Sequence, residues 1–252
     1  MNPDWVIPDW PAATRVKALV TTRAGGTSSA PYAGLNLGDH VGDDPASVAR
    51  NRAILRLRAV LPAEPVWLQQ VHGISVLDVD GDTASTEADA SLTRRADRVC
   101  VVLTADCLPV LFCDVEGNVV AAAHAGWRGL LGGMLEATVA AMHVPGADVM
   151  AWLGPAIGAQ AFEVGDEVRD AFIAEQPAAS AAFVAHRPGK WLADIYALAR
   201  IRLQHIGVTR LYGGDACTYT ESARFYSYRR DGVTGRMASL IWLQREGKEA
   251  VD

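Results

Sequence analysis

The segment VCVVLTADCLPVLFCDVEGNVVAAAHA (99–125) constrains the fold more than any other part of the chain. Its charged residues stand only at breaks: Asp106, Asp114 and Glu116. The apolar runs 99–105, 108–114 and 118–124 are short and rich in Val and Leu, the pattern of buried strands. Glu116-Gly117-Asn118 is a turn signal that folds the last two runs into a hairpin. A tight turn at 115–117 pairs Asp114 with Gly117, so partner numbers sum to 231. Cys107 then faces His124, with Cβ atoms about 4.5–5.5 Å apart. That spacing suits two ligands sharing a metal, and equally a Cys–His catalytic pair. His72 is the candidate third group, because QQVHG places it at the end of a strand, before a glycine. Two imidazoles and one thiolate suit zinc, and three protein ligands with an open position form the catalytic pattern.

The remaining elements read as a mixture. Strands are expected at 15–22, 65–71 and 148–154, in TRLYGGDACTY and in GRMASLIWLQ. Helices are expected at 45–60, 129–144, in VGDEVRDAFIAEQ and in DIYALARIRLQHIG, where Gly207 fits a C-terminal cap. RAGGTSSAPYAGLNLGDHVGDDP reads as a long ordered loop, of the kind that usually serves function. The Ala-rich stretch 177–186 reads as a surface connection. Strands with a few interspersed helices, lacking strict alternation, indicate an α+β fold with a mixed sheet. No linker or repeat divides the 252 residues, so a single domain is expected over 1–252.

Lys plus Arg is 23 and Asp plus Glu is 29, a formal net charge of −6. That balance argues against nonspecific grip on nucleic acid or an anionic membrane. No window approaches the ~18 apolar residues of a membrane span, and Asp4, Pro8, Asp9 and Pro11 interrupt any signal-peptide core. A cytoplasmic location is expected. The four cysteines contain no Cys-x-x-Cys pair, which argues against a zinc ribbon. Cys100 and Cys113 read as small buried hydrophobes; Cys107, between Asp106 and Pro109, does not. His40, His143, His186 and His205 read as surface or helix residues.

Arg128 stands where a helix should begin, beside Gly126 and Gly129. An arginine there is either an anion clamp or a surface residue packed on Trp127. Arg229, Arg230 and Arg236 form either a second anion patch or a solvated hairpin loop. The glycines at 25, 26, 34 and 38 do not make a phosphate-binding P-loop.

TTRAGG, YAGLNLGDHVGD, QQVHG, TADCLPVLF, HAGWRG, GPAIG, FEVG and FYSYRRD with TGR together resemble the bacterial YfiH/YlmD-like proteins. That family is also called the laccase-domain or multicopper polyphenol oxidase-like family. The resemblance runs from about residue 5 to 243. It implies an α+β fold, a mixed β-sandwich with flanking helices. It implies Zn2+ held by His72, Cys107 and His124, with Cu2+ as an alternative ion. It implies a purine nucleoside phosphorylase acting on adenosine, inosine, guanosine and methylthioadenosine, with adenosine deaminase activity. Nucleoside and phosphate are then the small-molecule partners. Arg128 is the expected phosphate group, with Arg23 and Arg52 behind it. Asp106 and Glu163 are the carboxylates to consider for proton transfer. Two other activities attach to the family: copper-dependent polyphenol oxidation, and hydrolytic editing of amino acids in peptidoglycan precursors. The latter would suit Cys107 as nucleophile and His124 as base.

Overall fold

The computed structural model describes residues 4–81 and 85–245. In chain order the elements are β1 (Val16–Val20), α1 (Pro45–Ala59), β2 (Val76–Asp78), β3 (Ala90–Thr93), β4 (Val99–Thr104) and β5 (Leu108–Asp114). There follow β6 (Val120–Ala125), α2 (Trp127–Gly132), α3 (Met134–Met142), β7 (Val149–Leu153), β8 (Glu163–Gly165) and α4 (Asp166–Glu175). The last are β9 (Phe183–Arg187), β10 (Lys190–Ala193), α5 (Ile195–His205), β11 (Arg210–Gly213), α6 (Tyr228–Asp231) and β12 (Met237–Leu243).

The central sheet has the order β11-β7-β5-β6-β3-β2. Its middle strands pair antiparallel, while β11 with β7 and β2 with β3 are parallel. A second sheet, β1-β12-β4, is antiparallel and lies against one face of the first. The alternation of side chains along β5 shows why. Leu111 and Cys113 point between the sheets, where they meet Cys100, Val102 and Ile241. Val110 and Phe112 point the other way, into a core built with Leu135 and Val139 of α3 and Leu198 and Leu203 of α5. The outer face of the second sheet packs Val101, Leu103 and Leu240 against Leu55 and Ala59 of α1. The α+β sandwich with flanking helices is therefore layered as helix, sheet, sheet, helices.

Helix α1 begins as the sequence indicates: Asp44 caps it by accepting from the Ser47 N–H at 3.0 Å, and Pro45 occupies its first turn. Four expectations need correction. The β5–β6 hairpin pairs Leu108 with Ala125 and Cys113 with Val120, so partner numbers sum to 233, not 231. The turn is longer because Asp114 pairs with Val119, its main-chain N–H donating to the Val119 carbonyl at 3.2 Å. Segment 65–71 makes isolated bridges, at Val66 and Gln69, and no full strand. The helix expected over 129–144 is two helices, starting at Trp127 and broken where Gly133 takes φ 98°. The stretch 177–186 is not a plain connection: a 3-10 turn at Pro177–Ala182 leads into β9, part of a third sheet β8-β10-β9.

Candidate metal centre

In the 233 register, Cys107 lies opposite position 233 − 107 = 126, which is Gly126, and His124 lies opposite Pro109. The two side chains still reach the same end of the ribbon, but diagonally. The glycine is what permits this. A Cβ at Gly126 would sit 3.0 Å from Cys107 Sγ and 3.0 Å from His72 Cδ2. His72 arrives from the turn before β2, with φ 61°, a left-handed conformation uncommon for a side-chain-bearing residue.

One buried carboxylate organises the three. Asp89 stands immediately before β3, which is flanked by β2 and β6. Its carbonyl accepts the His124 main-chain N–H at 2.7 Å. Its carboxylate lies 2.7 Å from His124 Nδ1 and accepts the N–H groups of Val71 (3.2 Å), His72 (2.9 Å) and Gly73 (2.7 Å). Successive N–H groups turned toward one anion form a nest. Burial alone would raise the Asp89 pKa, but the bonds from His124 and from the turn outweigh it and hold the carboxyl below its ordinary value. The Nδ1–H of His124 thus goes to Asp89, which leaves Nε2 to face the cluster.

The ligand atoms of His72, Cys107 and His124 all lie within 4.8 Å of one another. Cys107 Sγ is 3.8 Å from His72 Nε2. A tetrahedral zinc with ordinary Zn–S and Zn–N bonds places S and N about 3.6 Å apart. The two imidazole rings meet edge to face, centroids 4.7 Å apart at 77°. Burial pushes the Cys107 thiol up, yet the charge and hydrogen bonds of His124 and His72 overcome it and bring the thiol down to about 6. His124 moves oppositely: burial disfavours its charge, while Cys107 and Asp89 raise it to about 9. Without an ion the pair is a thiolate beside an imidazolium; with one, thiolate and neutral imidazole are the required ligand forms. The donor set and spacing fit a zinc ion with a free coordination position. Cys100 and Cys113 behave as expected of buried hydrophobes, burial pushing both to about 12.

Two cavities meet at the cluster. One, of about 240 Å3, is lined by His72, Ala105, Asp106, Cys107, Trp127, Arg128, Ile157, Phe162, Ile195, Tyr228 and Arg229. The other, of about 370 Å3, is lined by His40, Gln70, His72, Leu103, Thr104, Ala105, Cys107, His124, Tyr228 and Arg236.

Of the arginines named from sequence, Arg128 reaches the first cavity, stacked 4.4 Å over the Trp127 ring. Arg23 and Arg52 line neither. Arg23 lies over Tyr226 and donates to the Ser222 carbonyl; Arg52 stacks on Trp67, donates to the Leu37 carbonyl and pairs with Asp39. Asp106 borders the first cavity at φ 87°, its oxygens accepting from Thr218 Oγ1 and the Arg229 main-chain N–H, each at 2.6 Å. It fixes α6 against the site. Glu163 is taken by a two-pronged bond from Arg187.

Sequence reasoning missed two site residues, Asp89 and His40. Asp89 is hidden in a polar stretch, directly before the short buried strand β3, whose sequence Ala-Ser-Leu-Thr gives little apolar signal. His40, read as a surface residue, is exposed and also borders the second cavity; of the candidate anion patch named from sequence, Arg236 borders that cavity and Arg229 the first.

The layered α+β fold and the His–Cys–His trio define a class, and the comparisons agree with it. Residues 17–244 match the family described as multi-copper polyphenol oxidoreductase laccase. A purine nucleoside phosphorylase of Pseudomonas aeruginosa is 57% identical over 241 residues, covering 95% of this chain and 98% of that protein. The purine nucleoside phosphorylase YfiH of Escherichia coli is 56% identical over 239 residues, covering 94% and 98%. A crystal structure of a Neisseria meningitidis protein superposes with a TM-score of 0.91 at 53% identity, covering 96% of this chain and all of the other. YlmD from Geobacillus stearothermophilus superposes at 0.88 and 32% identity, covering 97% and 98%. The chain belongs to this YfiH-like, laccase-domain family. Among the described residues no helix is long and apolar enough to cross a membrane.

Proposed function

We propose that the protein is a zinc-dependent purine nucleoside phosphorylase taking adenosine, inosine, guanosine and methylthioadenosine, with deamination of adenosine as a second activity. The observation that carries this reading is the ligand trio, of which His72 and Cys107 line both cavities and His124 the second, so that two small substrates can meet there. The names of the relatives favour the phosphorylase part of this reading.

His72, Cys107 and His124 would hold the ion, which when bound supplies a Lewis acid and, in deamination, an activated water. Asp89 keeps His124 in the ligating tautomer and fixes the turn bearing His72. Phe162, Ile157 and Trp127 give the first cavity apolar walls for a purine, and Arg128 stands at its edge for a polar substrate group. Asp106, already holding two donors, serves as the prop for α6. A carboxylate free to shuttle protons is not among the residues lining either cavity, which makes deamination the lesser activity.

A second reading has its own support. Cys107, His124 and Asp89 form a thiol–imidazole–carboxylate chain, and the lowered thiol suits a nucleophile. This would be the Cys–His hydrolase acting on peptidoglycan precursors. Copper oxidation of polyphenols has less: one cluster of three ligands is found among the described residues, whereas four-electron reduction of oxygen needs further copper ions.

The test is product identification. Zinc-loaded protein is incubated with adenosine, with and without phosphate, and the products are separated by chromatography. Adenine with ribose 1-phosphate, formed only when phosphate is present and abolished by chelation, supports the phosphorylase. Inosine under both conditions adds the deaminase. Absence of any purine product overturns the proposal, and chelator-resistant hydrolysis of a precursor peptide would favour the cysteine hydrolase.

A further inference from the structure

The two cavities at the cluster differ in lining. They share His72, Ala105, Cys107 and Tyr228. The first adds the apolar Trp127, Ile157, Phe162 and Ile195, with Asp106, Arg128 and Arg229 also in its wall. There Asp106 is bonded to Thr218 and the Arg229 N–H, and Arg229 Nη1 donates to the Glu163 carbonyl at 2.9 Å. The second adds His40, Gln70, Thr104, His124 and Arg236, with Leu103. The polar cavity contains bonding capacity that the protein does not use. Arg236 donates through Nη1 to the Thr234 and Gly235 carbonyls, both at 3.0 Å. Its other guanidinium donors have no partner among the described residues, and no carboxylate there forms an ion pair with it. Thr104 is buried, and its hydroxyl makes no hydrogen bond. Arg236 is half-buried and its uncommitted donors stay open to a ligand in this cavity, while the buried Thr104 hydroxyl without a partner carries a desolvation cost.

This arrangement is also built from a segment that the metal trio leaves unexplained. In the loop LNLGDH, Asn36 Oδ1 accepts the Arg236 main-chain N–H at 2.9 Å, and the Leu37 N–H donates to the Arg236 carbonyl at 3.2 Å. Gly38 makes room for the arginine: a Cβ there would lie 2.8 Å from Arg236 Cγ. The next residues of the loop bring His40 to the cavity. Asn36 is itself locked by bonds to Gly38 and Asp43. Arg128, in contrast, is exposed and stacked on an indole at the edge of the apolar cavity.

We propose that the polar cavity is the phosphate subsite, with Arg236 as its principal charge, and that the purine occupies the apolar cavity across the cluster. This rests on the phosphorylase reading and replaces Arg128 as the phosphate group. The chemistry requires such a division. In phosphorolysis the C1′–N9 bond breaks, its electron pair leaving with the purine, while a phosphate oxygen forms the new bond to C1′. The proton of hydrogen phosphate ends on the base, so hydrogen phosphate and nucleoside become ribose 1-phosphate and free purine. Direct displacement brings the oxygen to the face of C1′ opposite the departing base. Phosphate and purine must therefore sit on opposite sides of the ribose, a division that two cavities meeting at His72 and Cys107 can provide.

The experiment compares zinc-loaded wild type with Arg236→Met and Arg236→Lys. Inorganic phosphate binding is followed by 31P NMR titration, and KM is measured separately for phosphate and inosine. Circular dichroism and the melting temperature verify that the variants fold. Arg236→Met is expected to raise KM for phosphate roughly tenfold or more and to weaken phosphate binding equally, with KM for inosine changed less than about twofold. Arg236→Lys should recover part of the loss, since a point charge replaces a fork. An unchanged phosphate KM in a folded Arg236→Met, with wild type active, overturns the subsite alone. Phosphate binding that depends on Arg236 without any turnover by wild type keeps the subsite and overturns the phosphorylase reading. Failure of wild type to bind phosphate overturns both.

Discussion

At the turn end of the β5–β6 ribbon, Asp114 accepts the N–H groups of Asn118 at 2.6 Å and Val119 at 2.8 Å, and its carbonyl accepts from Gly117. At the open end, Asp89 similarly collects three N–H groups and an imidazole. Both carboxylates are buried and both gather main-chain N–H groups. They differ in what they hold. Asp114 spends its bonds, both on Oδ1, on closing a turn. Asp89 spends its bonds on holding two histidines, so that their remaining nitrogens and the Cys107 sulfur converge within 4.8 Å. A buried carboxylate that gathers N–H groups therefore does not by itself separate scaffold from site; the atoms its partners leave uncommitted do.

Cys107→Ser tests the contrast most severely. Four ligands bind a structural zinc with about 10–16 kcal/mol, so one ligand carries roughly 3 kcal/mol, and its loss should weaken zinc about a hundredfold or more. Competition with a chromophoric chelator measures this, and retention of tight zinc binding would remove Cys107 from the ligand set. Asp89→Asn keeps the side-chain shape but changes what Nδ1 of His124 meets; zinc affinity should fall about 10–100-fold. If it does not move, the two ends of the ribbon are equivalent and the distinction fails.

Acidity gives a smaller effect. In metal-free protein the Cys107 thiol at about 6 is mainly thiolate at pH 7 and mainly thiol at pH 5. The sign is that of a lowered acid: the reactive form persists above pH 6 and is lost as pH falls through it. Iodoacetamide labelling, mapped by mass spectrometry, should slow roughly tenfold between pH 7 and pH 5 at Cys107. Cys100 and Cys113, near 12, should stay unlabelled in the folded chain. Smallest is Asp114→Ala, which should cost about 1–2 kcal/mol for the lost turn bonds and lower the melting temperature by a few degrees. Zinc affinity should remain within about twofold; a larger change would mean that the turn end communicates with the site.

The same contrast explains what could be read in the sequence. The arms of the ribbon were legible because apolar runs with charges only at their ends have few other uses. Their meeting of Cys107 and His124 was legible as a shared end, but not in its register. A side chain, Asp114, closes the loop and adds to its length, and no turn signal encodes that. Asp89 was illegible because its role depends on β3 lying between β2 and β6, a contact across distant parts of the chain. The sheet β8-β10-β9 was missed for another reason. Val184, Ala185, His186 and Arg187 of β9 are exposed, so the strand lacks the apolar alternation by which strands are recognised. The break at Gly133 was written in Gly132-Gly133, where two adjacent glycines favour an interruption over a continuous helix.

The ligands also lie far apart along the chain, His72 and Cys107 by 35 residues. An ion joining them with His124 stitches the turn before β2 to both arms of the ribbon, a contact that an unfolded chain lacks. Mass action then makes metal supply a determinant of survival. Each tenfold of free zinc above the dissociation constant adds about 1.4 kcal/mol to the folded state. On the proposed zinc reading, a cell short of the ion would hold a less durable protein, and chelation would shorten its lifetime against proteolysis.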